Sequence, residues 1–561
     1  MSSVFIFFLS LLSILSAADL TRQLTITEDY LHLPIASRIE KTGPGVAPFV
    51  IKDEQGKWLR AAKVKFPKPG ESPDFIQSLN VANLRGQKVT LHYQSEDPAV
   101  LEAIMTGSEP NHDQPSYDTL HRPRLHFSAR RGWMNDINGL YFHNGLYHLF
   151  YQHNPYLTGK APGFDMHWGH SVSKDLVHWT EYPIALYPGA EGSIFSGTAA
   201  VIEREIPGIT DGLTLPSPVL FYTGTAPFSQ RLATTKDGGQ TWQPFAQNPI
   251  IPKLPNAKND RDPKVLWHEP SQHYVMILFV EEPRRYLFFK SKTLTDWKQT
   301  SVLADWSECP EFFPVTSPTT GEELYLLYGA YRPEEESGRL SSAYQLGRFD
   351  GERFTPVTKV RRAHGGGNFY GAITFANEPK GRRIMMGWAA GTKFPGEPFN
   401  QCASLPLEMK VEALGEEDTL CFQPVEEVKK LRGKAVFSAQ NTTGAQIKAK
   451  LQALPRDETY DIEVTFAAGQ KAKHATRVRD RWMIYNPAKA AIEWGNTPLF
   501  PKGPVKVRYL IDRGLFECFW NKGEAAFSIA SLHTVDAPVL HIGENLKIDQ
   551  ITVYPMKSIW N

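Results

Sequence analysis

The sequence predicts an all-β protein in three parts: a small N-terminal β domain, a five-bladed β-propeller and a C-terminal β-sandwich. Three observations predict it. Short stretches alternating apolar and polar residues fill 19–118. From about residue 121 a strand–turn–aromatic signature recurs at long, even spacing. After residue 427 short alternating strands with turn signals run to the end. Composition agrees, since 42 Gly, 42 Pro, 32 Phe, 21 Tyr and 13 Trp favour a turn-rich β protein. The 561 residues would fill roughly two to four domains at about 150 residues each. With 61 basic and 60 acidic side chains, the chain has no broad basic field to hold a nucleic acid backbone. Charged residues at 22% and hydrophobic residues at 41% argue against extended disorder.

Residues 4–15, VFIFFLSLLSIL, form an apolar run followed by Ser16, Ala17 and Ala18. This is the shape of a secretory signal cleaved near Ala18, although no Lys or Arg precedes the run. Residues 1–18 are therefore read as a signal peptide of a secreted or periplasmic protein. The run is too short for a comfortable membrane span, and the mature chain is expected to have none. Residues 19–118 are read as an accessory β domain ending in the polar linker SEPNHDQPSYD at 108–118. Its role is left open between binding a polysaccharide and packing on the propeller.

Residues 119–427 carry the repeat. SVSKDLVHWTEYP, ATTKDGGQTWQPF, FKSKTLTDWKQT and the weaker GRFDGERFTPV each read as a strand, a polar turn and an aromatic. The aromatics are Trp179, Trp242, Trp297 and Phe354, spaced 63, 55 and 57 residues apart. Apolar strands precede them: GLYHLFYQ, PVLFYTG, YVMILFV and ELYLLYGA, with a fifth, RRIMMGWAAG, at 382–391. Units of this length with several strands each read as propeller blades, with chemistry expected on the first strand of each blade near the axis. VEEVKKLR then reads as a short helical linker into the sandwich at 428–561. The spacing of Cys309, Cys402, Cys421 and Cys518 matches no disulfide framework or zinc pattern, and they are read as buried free thiols.

No nucleotide-binding, metalloprotease or serine-hydrolase motif occurs, so no cofactor and no metal is expected. His167 and His170 would point to opposite faces of a strand and not share a metal. Lys174, Asp175 and Asp237 are assigned to solvated turns. Three carboxylates stand apart, each near the first strand of a different blade: Asp136 in RGWMNDINGLY, Asp262 in NDRDPKVLW and Glu308 in DWSECPEFF. Each alone would more often be a turn residue, a local ion pair or a cap. Together at one axis they could supply the paired carboxylates of glycoside hydrolysis, with aromatic faces for sugar rings.

The segments WMNDING (133–139), RDPK (261–264) and ECPEFF (308–313) resemble, in order, the three signature motifs of glycoside hydrolase family 32, the invertase, inulinase and levanase family. YQHNP (151–155), WGH (168–170), FSGT (195–198), NFYGA (368–372), GRRIMMGW (381–388) and LIDRGLFECFWNKG (510–523) add to the likeness, which spans about 121–561. The resemblance implies a five-bladed propeller with a C-terminal sandwich and retaining hydrolysis of β-D-fructofuranosides in levan, inulin or sucrose. Asp136 is then the nucleophile, Glu308 the general acid and base, and Asp262 the transition-state stabiliser. Retention demands an acid and nucleophile about 5–5.5 Å apart. The same match implies substrate contacts from Asn135, Gln152, Trp168, Phe195, Ser196, Arg261, Asn368 and Trp388. The family's usual WMNDPNG is WMNDING here, losing turn rigidity at Ile137. Its usual DFYA is NFYG, exchanging a charge for an amide at Asn368. Glycines 365–367 suggest a mobile rim loop. Other readings are a fructosyltransferase on the same site, a non-catalytic fructan-binding protein and an inverting arabinan hydrolase. The expected partner is a fructan or fructo-oligosaccharide, with no nucleic acid.

Overall fold

The computed structural model describes residues 18–36, 46–68, 70–95, 97–111, 115–158, 166–335, 338–501 and 503–560. The expected signal segment lies outside the described residues, apart from Ala18, which opens the first strand. Two compact units divide the chain, Met1–Asp113 and Gln114–Asn561. Among the described residues the only α-helix is Gly444–Gln452.

The first unit holds two antiparallel sheets. One orders Ala18–Thr25, Lys88–Ser95, Ala47–Lys52 and Trp58–Val64; the other orders Phe75–Asn80, Tyr30–Ile35 and Met105–Gly107. Alternation drives burial here: in KVTLHYQS the buried residues are Val89, Leu91 and Tyr93, every second position.

The second unit contains five sheets, each built on four antiparallel strands that run outward from an inner strand. Blade 1 is Gly132–His143, Leu146–Asn154, His167–Ser173 and Thr180–Leu186. Blade 2 is Ile194–Ile202, Ser217–Thr225, Phe228–Thr234 and Gln243–Pro244. Blade 3 is Arg261–His268, His273–Val280, Arg285–Ser291 and Lys298–Ala304. Blade 4 is Trp306–Thr316, Glu323–Tyr331, Leu340–Phe349 and Phe354–Pro356. Blade 5 is Tyr370–Thr374, Arg383–Trp388, Leu407–Leu414 and Glu417–Pro424. Neighbouring inner strands pack in the cyclic order 1-2-3-4-5-1, which makes a closed five-bladed propeller. Closure is reinforced where Phe399–Asn400 pairs in parallel with Gly132 and Trp133.

The recurring sequence signature is the hairpin between the third and fourth strands of blades 1 to 4. Its aromatic plugs the seam toward the preceding blade. Trp242 of blade 2 packs edge-on against Tyr141 and Phe150 of blade 1. Phe354 of blade 4 joins Val275, Ile277 and Phe288 of blade 3. Asp175 and Asp237 do more than sit in solvated loops. Asp237 accepts from Gln240 N, Thr241 N and the hydroxyls of Thr235 and Thr241, and so builds the turn. Asp175 does the same for Val177 N and His178 N.

The sandwich pairs a six-stranded sheet, ordered Phe437–Thr443, Lys547–Pro555, Tyr460–Phe466, Val505–Ile511, Leu515–Trp520 and Ala525–Ala530, with a five-stranded one. The helix Gly444–Gln452, not anticipated from the sequence, is announced by a capping box between Thr443 and Gln446. VEEVKKLR does form a short 3-10 helix, Glu426–Leu431. All four cysteines are buried free thiols.

Propeller and sandwich meet at the buried Asp512. Its carboxylate accepts from Arg124 N at 2.8 Å and Leu125 N at 2.7 Å, and His126 Nδ1 lies 2.8 Å away. Burial pushes this carboxyl up, but the His126 ring and the two backbone amides outweigh it and hold it below the ordinary aspartate value. Asp512→Asn is expected to cost about 2 kcal/mol in urea unfolding at neutral pH. Because the folded-state value is depressed, the wild-type advantage is complete above the unfolded-state value, near 4, and shrinks as pH falls below it. Melting temperatures of the two proteins measured from pH 7 to pH 3 should therefore converge on the acid side.

Candidate active site

Every inner strand breaks register. The bulges fall between Met134 and Ile137, Phe195 and Gly197, Arg261 and Lys264, Ser307 and Glu311, and Tyr370 and Ile373. Bulges re-aim side chains that a regular strand would send to alternate faces. Asp136, Ser196, Asp262, Glu308 and Gly371 all lie within them. Asp262 and Glu308 have positive φ, 62° and 23°, and Cys309 has 51°. Such backbone in non-glycine residues is sparse and concentrates at functional sites. NDING is therefore not a turn but part of an irregular strand, where Ile137 is 1% exposed in the core and pairs with Tyr151. Turn rigidity is not what a proline there would have supplied.

The bulges bring both Asp136 and Glu308 within electrostatic range of Asp262. Ser196 Oγ donates to Asp136 Oδ2 at 2.8 Å. Asp262 Oδ2 accepts from Cys309 N at 3.0 Å, and Asp262 N donates to Thr223 Oγ1 at 3.2 Å. Arg261 lies between two carboxylates, 2.8 Å from Glu308 Oε1 and 2.9 Å from Glu281 Oε2. The Tyr370 hydroxyl donates a short hydrogen bond to Glu308 Oε2. Burial dominates at Asp262 and pushes its carboxyl up to about 7; Arg261 opposes this, and the charges of Glu308 and Asp136 add to it. Burial also pushes Glu308 up, but Arg261 and the Tyr370 hydroxyl outweigh it, and Glu308 sits below the ordinary glutamate value. The Glu308 side chain is the more open of the two, 33% exposed against 6% for Asp262.

Half-buried aromatics stand beside these bulges, with Phe195 at that of blade 2 and Trp388 opposite Tyr370 of blade 5. Trp133 and Trp388 meet edge to face at 6.3 Å, and Trp388 Nε1 donates to Gln401 Oε1. Phe195 meets Phe228 edge to face at 5.9 Å. Asn135 Oδ1 accepts from Trp133 Nε1 at 2.8 Å. Gln152 donates to Ile194 O at 2.8 Å and ties blade 1 to blade 2.

Three expectations need correction. Trp168 is fully buried on Phe150 and Tyr222 and braces the Phe195 carbonyl through Nε1, so no face of it is open to a sugar. Asn368 faces the sandwich. Its Nδ2 donates to Ala390 O at 2.6 Å and its Oδ1 accepts from Ala530 N at 2.8 Å. Glycines 365 and 366 are pinned, not a free rim: Gly365 N donates to Ala526 O, and a Cβ on Gly366 would overlap the Ser528 backbone. They are glycines because two backbones touch. His167 and His170 do diverge, toward Tyr156 and Tyr187 on one side and His148 and Phe150 on the other.

Sequence reasoning missed Tyr370, Trp133 and Thr223. Tyr370 stood in the quoted segment NFYGA, between the clamp residue Asn368 and Gly371. A Cβ on Gly371, whose φ is +53°, would lie 2.8 Å from Asp136 Oδ1. Asn368→Asp is expected to keep the bond from Ala530 N but to set a carboxylate against the Ala390 carbonyl. Loss of about 1–3 kcal/mol in urea unfolding should result, where a side chain merely turned to solvent would lose almost nothing.

The model of the glycosyl hydrolases family 32 N-terminal domain matches residues 126–424. A levanase from Bacillus subtilis (strain 168) is 30% identical over 497 residues, covering 80% of this chain and 72% of that one. An extracellular exo-inulinase from Aspergillus awamori is 28% identical over 523 residues, covering 80% and 96%. The crystal structure of exo-inulinase from Aspergillus awamori superposes with a TM-score of 0.67 at 26% identity, covering 79% of this chain and 100% of that chain. Bulged inner strands that gather three carboxylates at a propeller axis, and a match across more than half of the chain, agree: this protein belongs to glycoside hydrolase family 32.

Proposed function

We propose that the protein is an exported enzyme that hydrolyses terminal β-D-fructofuranosides of fructans with retention of configuration. The observation that carries this reading is the gathering of Asp136, Asp262 and Glu308 by three bulged strands of blades 1, 3 and 4. Export is supported by the apolar run at 4–15 and by relatives named as extracellular. Fructan as substrate is supported by relatives named levanase and exo-inulinase.

In this reading Asp136 attacks the anomeric carbon of a terminal fructose, and the bond to the leaving sugar breaks as Glu308 delivers a proton to its oxygen. Water, deprotonated by the same Glu308, then releases fructose from Asp136. Ser196 holds Asp136 for attack in the free enzyme. Arg261 and Tyr370 fix the Glu308 carboxyl between them. Asp262, in its buried bulge, is preorganised beside the positive charge that develops on the ring. Asp262 and Glu308 share one site, and burial makes Asp262 hold a proton more tightly than Glu308, which Arg261 and Tyr370 keep low.

Product analysis on levan, inulin and sucrose tests the reading. Free fructose alone from a polymer supports it; an oligosaccharide ladder or no product sinks it. Asp136→Asn should lower kcat by about 10⁴-fold or more with the fold intact by circular dichroism. Glu308→Gln should lose about 10²- to 10⁴-fold on fructan and far less on an aryl fructoside, whose leaving group needs no proton. The alkaline limb of the kcat/KM profile should fall near pH 7, where the cluster loses its shared proton, since burial pushes Asp262 up to about 7.

A further inference from the structure

A second charge pair sits farther along two of the same inner strands. Lys264 Nζ lies 2.5 Å from Glu311 Oε1, and the two side chains are 8% and 0% exposed. Glu311 Oε1 also accepts from Phe312 N at 3.0 Å, and Oε2 accepts from Thr374 N at 2.6 Å. One carboxylate therefore joins the inner strands of blades 3, 4 and 5. Burying two full charges costs several kcal/mol before their attraction is counted, and a well-packed apolar pair would often serve the fold as well.

The place of the pair is informative. Blade 3 loses register at Arg261 and resumes it at Lys264; blade 4 loses it at Ser307 and resumes it at Glu311. Asp262 and Glu308 lie inside those two bulges. Blade 5 loses register at Tyr370 and resumes it at Ile373, one residue before the Thr374 amide that Glu311 holds. The same ion pair thus ties down the points where three bulges rejoin their sheets, the bulges that carry Asp262, Glu308, Tyr370 and Gly371.

We propose that Lys264 and Glu311 are positioning residues for the hydrolysis, a buried neutral clamp that sets the directions of Asp262, Glu308 and Tyr370. This rests on the fructoside reading above. The charged and titratable groups facing this part of the axis are Asp136, Arg261, Asp262, Tyr286, Glu308, Cys309, Tyr370 and Arg332 around the carboxylates. Tyr328 and Arg383 face Glu311 itself. As a pair, Lys264 and Glu311 add no net charge to that set. Removing Glu311 leaves the Lys264 ammonium without its ion-pair partner, and removing Lys264 leaves Glu311 with only the longer-range charge of Arg383.

The test uses the full-length protein with Lys264→Met, Glu311→Gln and the double substitution, all near-isosteric. Steady-state kinetics on the best fructan, full pH–rate profiles and thermal melts are recorded together. Each single variant should lose about 10- to 100-fold in kcat, the cost of misplaced reacting groups. KM should stay within about threefold, since the clamp touches no substrate. The alkaline limb should move by about one unit in opposite directions. It moves to lower pH in Glu311→Gln, where the lone ammonium favours ionised carboxylates, and to higher pH in Lys264→Met. The double variant should return the limb to its wild-type position. A merely structural pair would lower the melting temperature without opposite shifts, and that result overturns the proposal. So does wild-type kcat in folded single variants, or failure of all three variants to fold. Wild-type protein that releases no fructose would instead defeat the fructoside reading. Active wild type with unchanged variants defeats only the clamp.

Discussion

The molecule depends on how five inner strands meet at one axis. A regular strand alternates its side chains and gives the axis only every second residue. Here each inner strand bulges at the site, and each bulge must be held in place by something other than its own ladder. Polar contacts between blades do this. Asn138 Oδ1 takes the Gly197 amide, Thr198 Oγ1 bonds Pro263 O and Val265 N, and Glu311 takes Lys264 and the Thr374 amide. Ala376 N donates to Leu140 O and Phe142 N to Ala376 O, joining blade 5 back to blade 1. The ring is thereby closed by hydrogen bonds at the centre and by aromatic plugs in the seams farther out.

The electrostatics follow from that closure. Three carboxylates brought to one axis repel, and the site manages the repulsion by unequal burial and one well-placed cation. Asp262 is deepest, and its proton is harder to remove than that of Glu308. Glu308 is more open and leans on Arg261, which Glu281 in turn holds from behind. Asp136 takes a neutral donor, Ser196. Similar groups thus acquire different proton affinities from their surroundings alone.

The sandwich contributes more than a second core. Its edge strand Ala525–Ala530 runs against the loop that leads into the inner strand of blade 5. Backbone bonds from Gly365 and Asn368 and both ends of the Asn368 amide fix that loop. Two residues later comes Tyr370, which reaches Glu308. Asn serves better than Asp at 368 because the site offers one backbone acceptor and one backbone donor, and only an amide answers both.

Much of this was legible in the chain. Period-2 alternation gave the strands of the N-terminal unit and the sandwich, apolar runs gave those of the propeller, and the spacing of Trp179, Trp242, Trp297 and Phe354 gave the first four blades. Asp136, Asp262 and Glu308 were legible as a set through ordered motifs, though no single one stood out. What sequence could not give was direction. Trp168 and Asn368 occur in the right segments but are spent on core packing and on the sandwich, because a register shift of one residue reverses a side chain and bulges leave no reliable periodic trace. Glycines 365 and 366 read as freedom and are instead close contact with a strand about 160 residues on, a fact of packing. Nor could residue types alone order the proton affinities of Asp262 and Glu308, which burial and the reach of Arg261 decide. The sequence determined the architecture and singled out the three carboxylates because both are written in local pattern. Tertiary structure decided where each side chain aims and which carboxylate keeps the proton, because both depend on neighbours far apart in the chain.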